Sequence, residues 1–457
     1  MAGLFDSLSI ATSALNAYNA GLDTVGQNIA NINTPGYSRR TVAFAERPPA
    51  DTLSAGRGVD IVAIQAYRDT LLEARTGHEQ AGLSHDSAVV DGLSQVEAAI
   101  GLPGSSLDAD LDAFFTSFSQ LATDVTSTSA RDSVVRQGQQ LAQGFNSLSD
   151  RLSELQRSTD TSIRDTVTQI NGLASQIATL NGQIANGGGA GIETLKDQRS
   201  TLLQQIQGLA DVSVLSRADG AVDVSMSQGQ ALVVGATAYS IDVQSNPPSG
   251  FASLHLGDFD ITSQITNGQL GGLIGLRDTV IPGYQTSLDQ LAYDVATQVN
   301  TVHESGFDAN GAAAGAFFAP LAGVAGAAKA IAVDAGVAAD SQLVAGSGTG
   351  APGDNQTARA LANLRDSRVM SGGTATAAEA WSNLVYQVGS DLSSAQATST
   401  TREAVVRQLQ QMRDQASGVS LDEEASTMLK FQRAYEASAR FFTTVNSTLD
   451  TLMGMVQ

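Results

Sequence analysis

The chain has 457 residues, a net charge of −21, 5% aromatic and 16% charged residues, and no cysteine. Disulfides, thiolate metal sites and cysteine nucleophiles are therefore excluded. The acidic balance, with no Lys/Arg cluster beyond the pair Arg39-Arg40, argues against a nucleic-acid or anionic-membrane binder. No apolar run approaches about 18 residues, and the N-terminus carries neither a basic secretory leader nor an arginine-rich transit segment, so a soluble chain without a membrane span is expected.

The first element is a helix with an apolar row at coiled-coil spacing: Leu4, Leu8, Ala11, Leu15, Tyr18, Leu22, Val25, Ile29 and Ile32. Its other faces are polar but almost uncharged, with only Asp6 and Asp23 charged before Arg39, which suits a helix that is surrounded rather than solvated. The turn Asn31, Asn33, Thr34, Pro35, Gly36, Tyr37 stops it, because Pro35 pushes Thr34 out of the helical region and Gly36 permits a positive φ. An extended arm with one or two short strands follows, around Val59, Ile61 and Ala63.

The pattern then predicts a helix from about 69 to 100, and another after Ser106 as its N-cap. The longest helix runs over 129–186 and is ended by Gly187-Gly188-Gly189; "IETLKDQRSTLLQQIQGL" returns as a helix, so a hairpin or bundle is expected. Residues 211–265 read as a small β section of four to six strands, and 282–303 as a further helix. The Ala/Gly-rich stretch that follows, to about 353, lacks periodicity and reads as loop with at most one strand. From about 355 the chain is helical again, broken at Ser371-Gly372-Gly373 and at Gly418.

The last helix answers the first. Ser420 and Glu423 fit a capping box, and Met428, Phe431, Tyr435, Ser438, Phe442, Val445, Leu449, Leu452 and Val456 fall at seam spacing, eight of the nine apolar. Two seams of similar length at opposite ends suit each other as an antiparallel pair, or as a parallel one if the body folds the chain back. The fold class is mainly α: an elongated helical bundle or coiled coil with paired N- and C-terminal helices and a small β section. Residues 1–45 with 419–457 form a terminal assembly domain; 46–320 with 354–418 form a helical body whose β section spans about 211–265; 321–353 is a separate Ala/Gly-rich segment.

Catalytic and metal chemistry find no support. His78 and His85 lie two turns apart with no ligand partner at helical spacing, His303-Glu304 lacks a second histidine, and "DANG" at 308–311 starts like a calcium loop but reads as a polar turn. "NGGGAG" at 186–191 is not followed by Lys-Ser/Thr and reads as a hairpin loop. No cofactor, no metal site and no catalytic residue are expected.

The two ends, "ALNAYNAGLDTVGQNIANINTPGYSRR" and "SGVSLDEEASTMLKFQRAYEASARFFTTVNSTLDTLM", resemble the signature ends of bacterial flagellar rod, hook and hook-associated proteins. With "LKDQRSTLLQQI", "GQLGGLIGLRD" and "GFDANG", the chain is similar to the hook-associated protein 1 family, whose members join hook to filament. The resemblance covers most of 1–310 and 355–457. Larger members place a β-rich outer domain where this chain has only its Ala/Gly-rich stretch. The resemblance implies a structural, non-enzymatic adapter, exported unfolded by type III secretion to the extracellular flagellum. It also implies a ring of about eleven subunits, with hook protein and the second junction protein as neighbours and a cytoplasmic export chaperone holding the C-terminal helix beforehand. The terminal rows would be the assembly seam and the Thr-Pro-Gly-Tyr turn the exit from the inner tube. The alternatives are another axial protein, hook or distal rod, against which the long helices argue, and a cell-wall hydrolase carried on an axial protein, for which the chain has no room.

Overall fold

The computed structural model describes residues 2–34, 36–48, 56–101, 107–187, 191–226, 229–247 and 249–455. In chain order the main elements are α1 (Ala2–Ala30), β1 (Arg40–Glu46), β2 (Val59–Ala66), α2 (Thr70–Ile100), α3 (Leu107–Thr123), α4 (Thr128–Asn186) and α5 (Ile192–Leu209). Seven strands follow: β3 (Val212–Ser216), β4 (Val222–Met226), β5 (Ala231–Val234), β6 (Thr237–Ala238), β7 (Ile241–Asn246), β8 (Phe251–Leu256) and β9 (Phe259–Asp260). The chain ends with α6 (Gly268–Gly275), α7 (Ile281–Glu304), α8 (Ala327–Ala330), α9 (Ala335–Ala339), α10 (Gln356–Asn363), α11 (Ala377–Ser417) and α12 (Leu421–Gly454). It is a mainly helical fold with small sheets, as the sequence predicts.

The chain forms two compact units, one from Met1–Leu83, Gln169–Ile241 and Arg402–Gln457, the other from Ser84–Thr168 and Asp242–Thr401. This differs from the division expected at 45/46 and 418/419. The breaks in the sequence mark helix ends, whereas the units divide inside α2, α4 and α11, where continuous helices change packing partners.

In the first unit, α1 and α12 pack side by side, β1 and β2 form an antiparallel hairpin, and β3-β4-β5-β6 form a four-stranded antiparallel sheet. Helix α4 holds that sheet through asparagines. Asn181, fully buried, donates to the carbonyls of Val222 (2.7 Å) and Gly235 (2.8 Å) and accepts from the Val222 amide (3.1 Å). Asn171 makes the same two-way clip to Ile241 at the start of β7, beyond that sheet, 2.9 and 2.8 Å. A buried amide with all its bonds made fixes the register of strand on helix as apolar packing alone does not.

The second unit has a conventional core. Leu141, Phe145 and Leu152 of α4, Phe114 and Phe118 of α3, and Leu288, Val295 and Val299 of α7 are buried to 2% or less, so the apolar rows on these helices are largely consumed here. Here the Ala/Gly-rich stretch corrects the expectation. Phe317, Phe318, Ala328, Ile331, Val337 and Val344 belong to this core, and the Phe317 ring meets those of Phe114 and Phe118 at an angle, centroids 5.5 and 5.8 Å apart. The stretch is irregular backbone with short helices and isolated bridges, so its apolar residues reach the core without a period for the sequence to display.

His303 clamps this stretch. Its Nδ1 donates to the Gly315 carbonyl (2.7 Å) and its Nε2 accepts from the Ala345 amide (2.8 Å), which requires a neutral ring. Burial and the nearby Arg131 pull its pKa down to about 4. The "DANG" segment is a polar turn, with Asp308 Oδ1 accepting from the Asn310 and Ala312 amides.

Three further expectations are adjusted. Among the described residues of the β section the strands number seven rather than four to six, and belong to two sheets. The helix expected at 282–303 is preceded by α6 and a π-helical turn at Leu276–Val280; Gly271 and Gly272 weaken the helical signal there, yet a Cβ on Gly272 would lie 2.7 Å from the His85 carbonyl, so that approach needs glycine. The Ser420 side chain makes no capping bond, so the capping box is not formed. The Ser106 cap and part of the glycine stop after α4 lie outside the described residues.

Candidate assembly interface

The terminal helices pair antiparallel: Asn28 meets Glu424, and Tyr18 and Gly21 meet Phe431. Close approach at this crossing depends on Gly21, where a Cβ would sit 2.9 Å from the Phe431 ring. Phe44 of β1 closes over the same ring, 6.3 Å away at an interplanar angle of 75°, so the hairpin, α1 and α12 share one aromatic contact. Near the same end of the hairpin the Val59 amide donates to Ser13 Oγ, 3.3 Å.

The predicted apolar rows are placed unevenly. On α1, Ala11 and Val25 are buried, while Leu4, Leu8, Leu15, Tyr18, Leu22 and Ile29 are half-buried and Ile32, past the helix end, is exposed. The fully buried residues of α1 are Ala11, Ala17, Gly21, Thr24, Val25 and Asn28, a stripe turned about one residue, roughly 100°, from the predicted row. Small side chains permit the close helix contact, and the large apolar row is left partly open beside it. On α12, Met428, Phe431, Phe442 and Leu449 are half-buried and Val445 is buried; Tyr435 and Leu452 remain 38% and 41% exposed, and Val456 lies outside the described residues.

The turn after α1 is built as its residue types require. Thr34 Oγ1 donates to Asn31 Oδ1 (3.1 Å), the Tyr37 amide donates to the Thr34 carbonyl (3.2 Å), and Gly36 has a φ of 79°. Asn33 is exposed, and Pro35 lies outside the described residues.

Beneath the turn is a polar joint that the apolar pattern did not reveal. Asn28, 1% exposed, makes four bonds: its Nδ2 donates to the Arg40 carbonyl (2.9 Å) and Glu424 Oε2 (3.0 Å), and its Oδ1 accepts from Tyr37 Oη (2.8 Å) and the Arg40 amide (3.0 Å). Glu424, also 1% exposed, accepts from Arg39 Nε at 2.7 Å, and Arg39 reaches Glu423 at 3.0 Å. Arg40 pairs with Asp197 of α5 at 2.7 Å and lies over the Tyr37 ring, 5.0 Å from its centre. Arg68, after β2, reaches the same Asp197 at 2.5 Å and Glu193 at 3.2 Å. Burial, outweighing the neighbouring Arg40, raises the Tyr37 phenol above its ordinary value, so it stays a hydrogen-bond donor. Burial works against the Glu193 carboxylate, but Lys196 and Arg68 overcome it and hold the group below the ordinary range.

Every ion of the joint is thus paired, and its pieces come from the turn, the hairpin, α5 and α12. A buried carboxylate is stable only when partnered in this way. Two signals for it stood in the sequence: a polar Asn28 inside an otherwise small-residue stripe, and adjacent arginines directly after the turn. No group of three or more His, Cys, Asp or Glu arranged to hold a metal occurs among the described residues, and no helix among them is long and apolar enough to cross a membrane.

Comparison with known proteins agrees with this architecture. Residues 93–318 match the model of the flagellar hook-associated protein FlgK helical domain, residues 8–37 that of the flagella basal body rod protein, and residues 410–455 that of the flagellar basal body rod FlgEFG protein C-terminal region. The chain is 28% identical to flagellar hook-associated protein 1 of Bacillus subtilis, over 99% of this chain and 98% of that one. It is 27% identical to the protein of the same name from Escherichia coli, over 97% and 98%. The solved flagellar hook junction protein FlgK from Burkholderia pseudomallei shares the fold, with a TM-score of 0.68 at 19% identity over 76% of this chain and 100% of that one. The two terminal signatures, the helical centre and the near full-length relatives point the same way: along nearly its whole length the chain is similar to flagellar hook-associated protein 1.

Proposed function

We propose that the chain is a structural adapter of the bacterial flagellum that joins hook to filament, assembling through its terminal helices into the axial tube. The observation that carries this reading is the antiparallel α1/α12 pair, which uses a small-residue stripe for its internal contact and leaves Leu15, Leu22, Tyr435 and Leu452 at least partly open for neighbours. Apolar rows left open on a folded chain mark surfaces that are covered on assembly. The partners are further copies of the chain in a ring of about eleven, hook protein on one side and the second junction protein on the other, with an export chaperone on the C-terminal helix before secretion. The place of action is the extracellular flagellum, and the work is mechanical continuity rather than chemistry.

The test is location. In hook-basal bodies stripped of filament the chain should sit at the distal end of the hook, and cells lacking it should build hooks but shed filaments. Finding it in the rod or along the hook instead would favour another axial role, to which the rod-protein matches at both ends also point.

A further inference from the structure

Within the first unit, a cavity of about 910 Å³ opens between α2, α5 and the strand β3, with α11 contributing Gln410 and Arg413. Its lining is rich in cations: Arg68, Lys196, Arg199, Arg217 and Arg413. Most are matched by acids nearby, Arg68 and Lys196 by Glu193 and Arg217 by Asp223. Arg199 feels Glu193 through space but is bonded differently. It is 7% exposed, and its Nη1 donates only to neutral oxygens, Asn181 Oδ1 at 2.8 Å and the Gly220 carbonyl at 2.9 Å.

One wall of the cavity is β3, the outermost strand of its sheet. The Arg217 amide bonds the Ala221 carbonyl, so the ladder bonds to β4 fall at Leu215 and Ser213, opposite Asp223 and Ser225. The amides and carbonyls of Val214 and Ser216 therefore face the open edge. Leu215 is 69% exposed, and β3 carries none of the lysines or prolines that ordinarily blunt an edge strand.

We infer that this groove receives an extended, carboxylate-bearing segment of a second copy of the chain, which adds a strand to the edge of β3 and sets an acid against Arg199. Strand addition supplies directional backbone bonds, and the cationic floor selects the side chains. Charge favours a second copy as the occupant: with 46 Asp and Glu against 25 Lys and Arg, its surface is predominantly acidic. The inference rests on the self-assembly reading above, and the experiment separates the two.

The chain lacks cysteine, so Ser213→Cys and Ser216→Cys each give a unique probe on an exposed strand. Maleimide labelling is compared between the purified soluble protein and isolated hook–filament assemblies, with an antibody scoring the chain at the junction. Labelling in the assemblies should slow about tenfold, as for a contact closed nine-tenths of the time, and a bifunctional cross-linker on Ser216→Cys should capture a second copy. A chain present at the junction but labelled as fast as the soluble protein overturns the groove and spares the adapter reading. A cross-link to a different protein overturns the choice of occupant, and absence of the chain from the assemblies overturns both readings. Val214→Pro sharpens the test, because its amide faces outward and proline is tolerated there. Thermal unfolding of the soluble variant should be unchanged while the cross-link yield from Ser216→Cys falls about tenfold; an undiminished yield would rule out strand pairing.

Discussion

Helices α4 and α7 carry heptad-spaced apolar residues that are sealed inside the second unit, whereas α1 and α12 carry rows of the same residue types that stay half-open. Leu141 and Leu288 have no exposure; Tyr435 and Leu452 keep about two-fifths of theirs. The difference is not hydrophobicity but what else surrounds each helix. The apolar face of α7 meets other elements along its whole length, while α1 spends its closest contact on Ala17, Gly21 and Asn28 and so turns its largest side chains away.

The largest effect should come from charging the open row. Leu22→Asp or Leu449→Asp should abolish filament attachment, because a carboxylate buried on assembly without a partner is strongly unfavourable, while urea unfolding of the soluble protein shifts by only about 0.5 kcal/mol. Normal swimming in either mutant would remove the distinction between the two kinds of row. The sealed core should respond the opposite way: Phe114→Ala should lower unfolding free energy by about 3–5 kcal/mol, read by urea titration. Removal of most of 321–350, which reads in sequence as an aperiodic loop, should likewise unfold the second unit, because Ile331, Val337 and Val344 leave its core with that segment.

Acid offers a third probe of the sealed region. His303 is held neutral when folded, so its contribution is complete above its ordinary value near 6.5 and is lost as pH falls toward about 4. The loss should total about 3 kcal/mol, since each pKa unit is worth about 1.4, and His303→Gln should flatten that slope. The carboxylates held low, Asp160 and Glu193 among them, lose their contribution only as pH falls below the ordinary carboxylate range, so the two windows separate. If the wild-type midpoint in urea does not move between pH 7 and 4.5, the His303 clamp is not holding the Ala/Gly-rich stretch.

Smaller effects belong to the joint. Asn28→Ala strips partners from Tyr37, Arg40 and Glu424 together and should cost about 1–3 kcal/mol, seen as faster hydrogen exchange at the start of α12. Gly21→Ala pushes against Phe431 and should cost about 1 kcal/mol, visible as earlier proteolysis of the terminal helices.

The helices were legible wherever a period of 3.6 was strong, from α1 through α5 and again in α11 and α12, because burial along a long helix leaves that imprint. The irregular 312–353 stretch and the glycine-rich α6 were not, since their buried residues follow no period. Of the interface, the apolar rows could be read, but the true contact stripe of α1 could not, because alanine and glycine give little signal while making the closest approach. The joint escaped for another reason: Asn28 and Glu424 are separated by 396 positions, and their relation exists only once the ends have met.

That separation has a consequence for how the molecule is made. Helix α1 is synthesised before its partner α12, so until α12 follows, Asn28 and the small-residue stripe stand without the group they fit. A polypeptide cut short before residue 421 would keep α1, the hairpin and Asp197 yet never supply Glu424 to Arg39. The pairing therefore acts as a completeness check: only a chain carrying both ends can close the joint, and a broken one enters any assembly already missing one of its two rails.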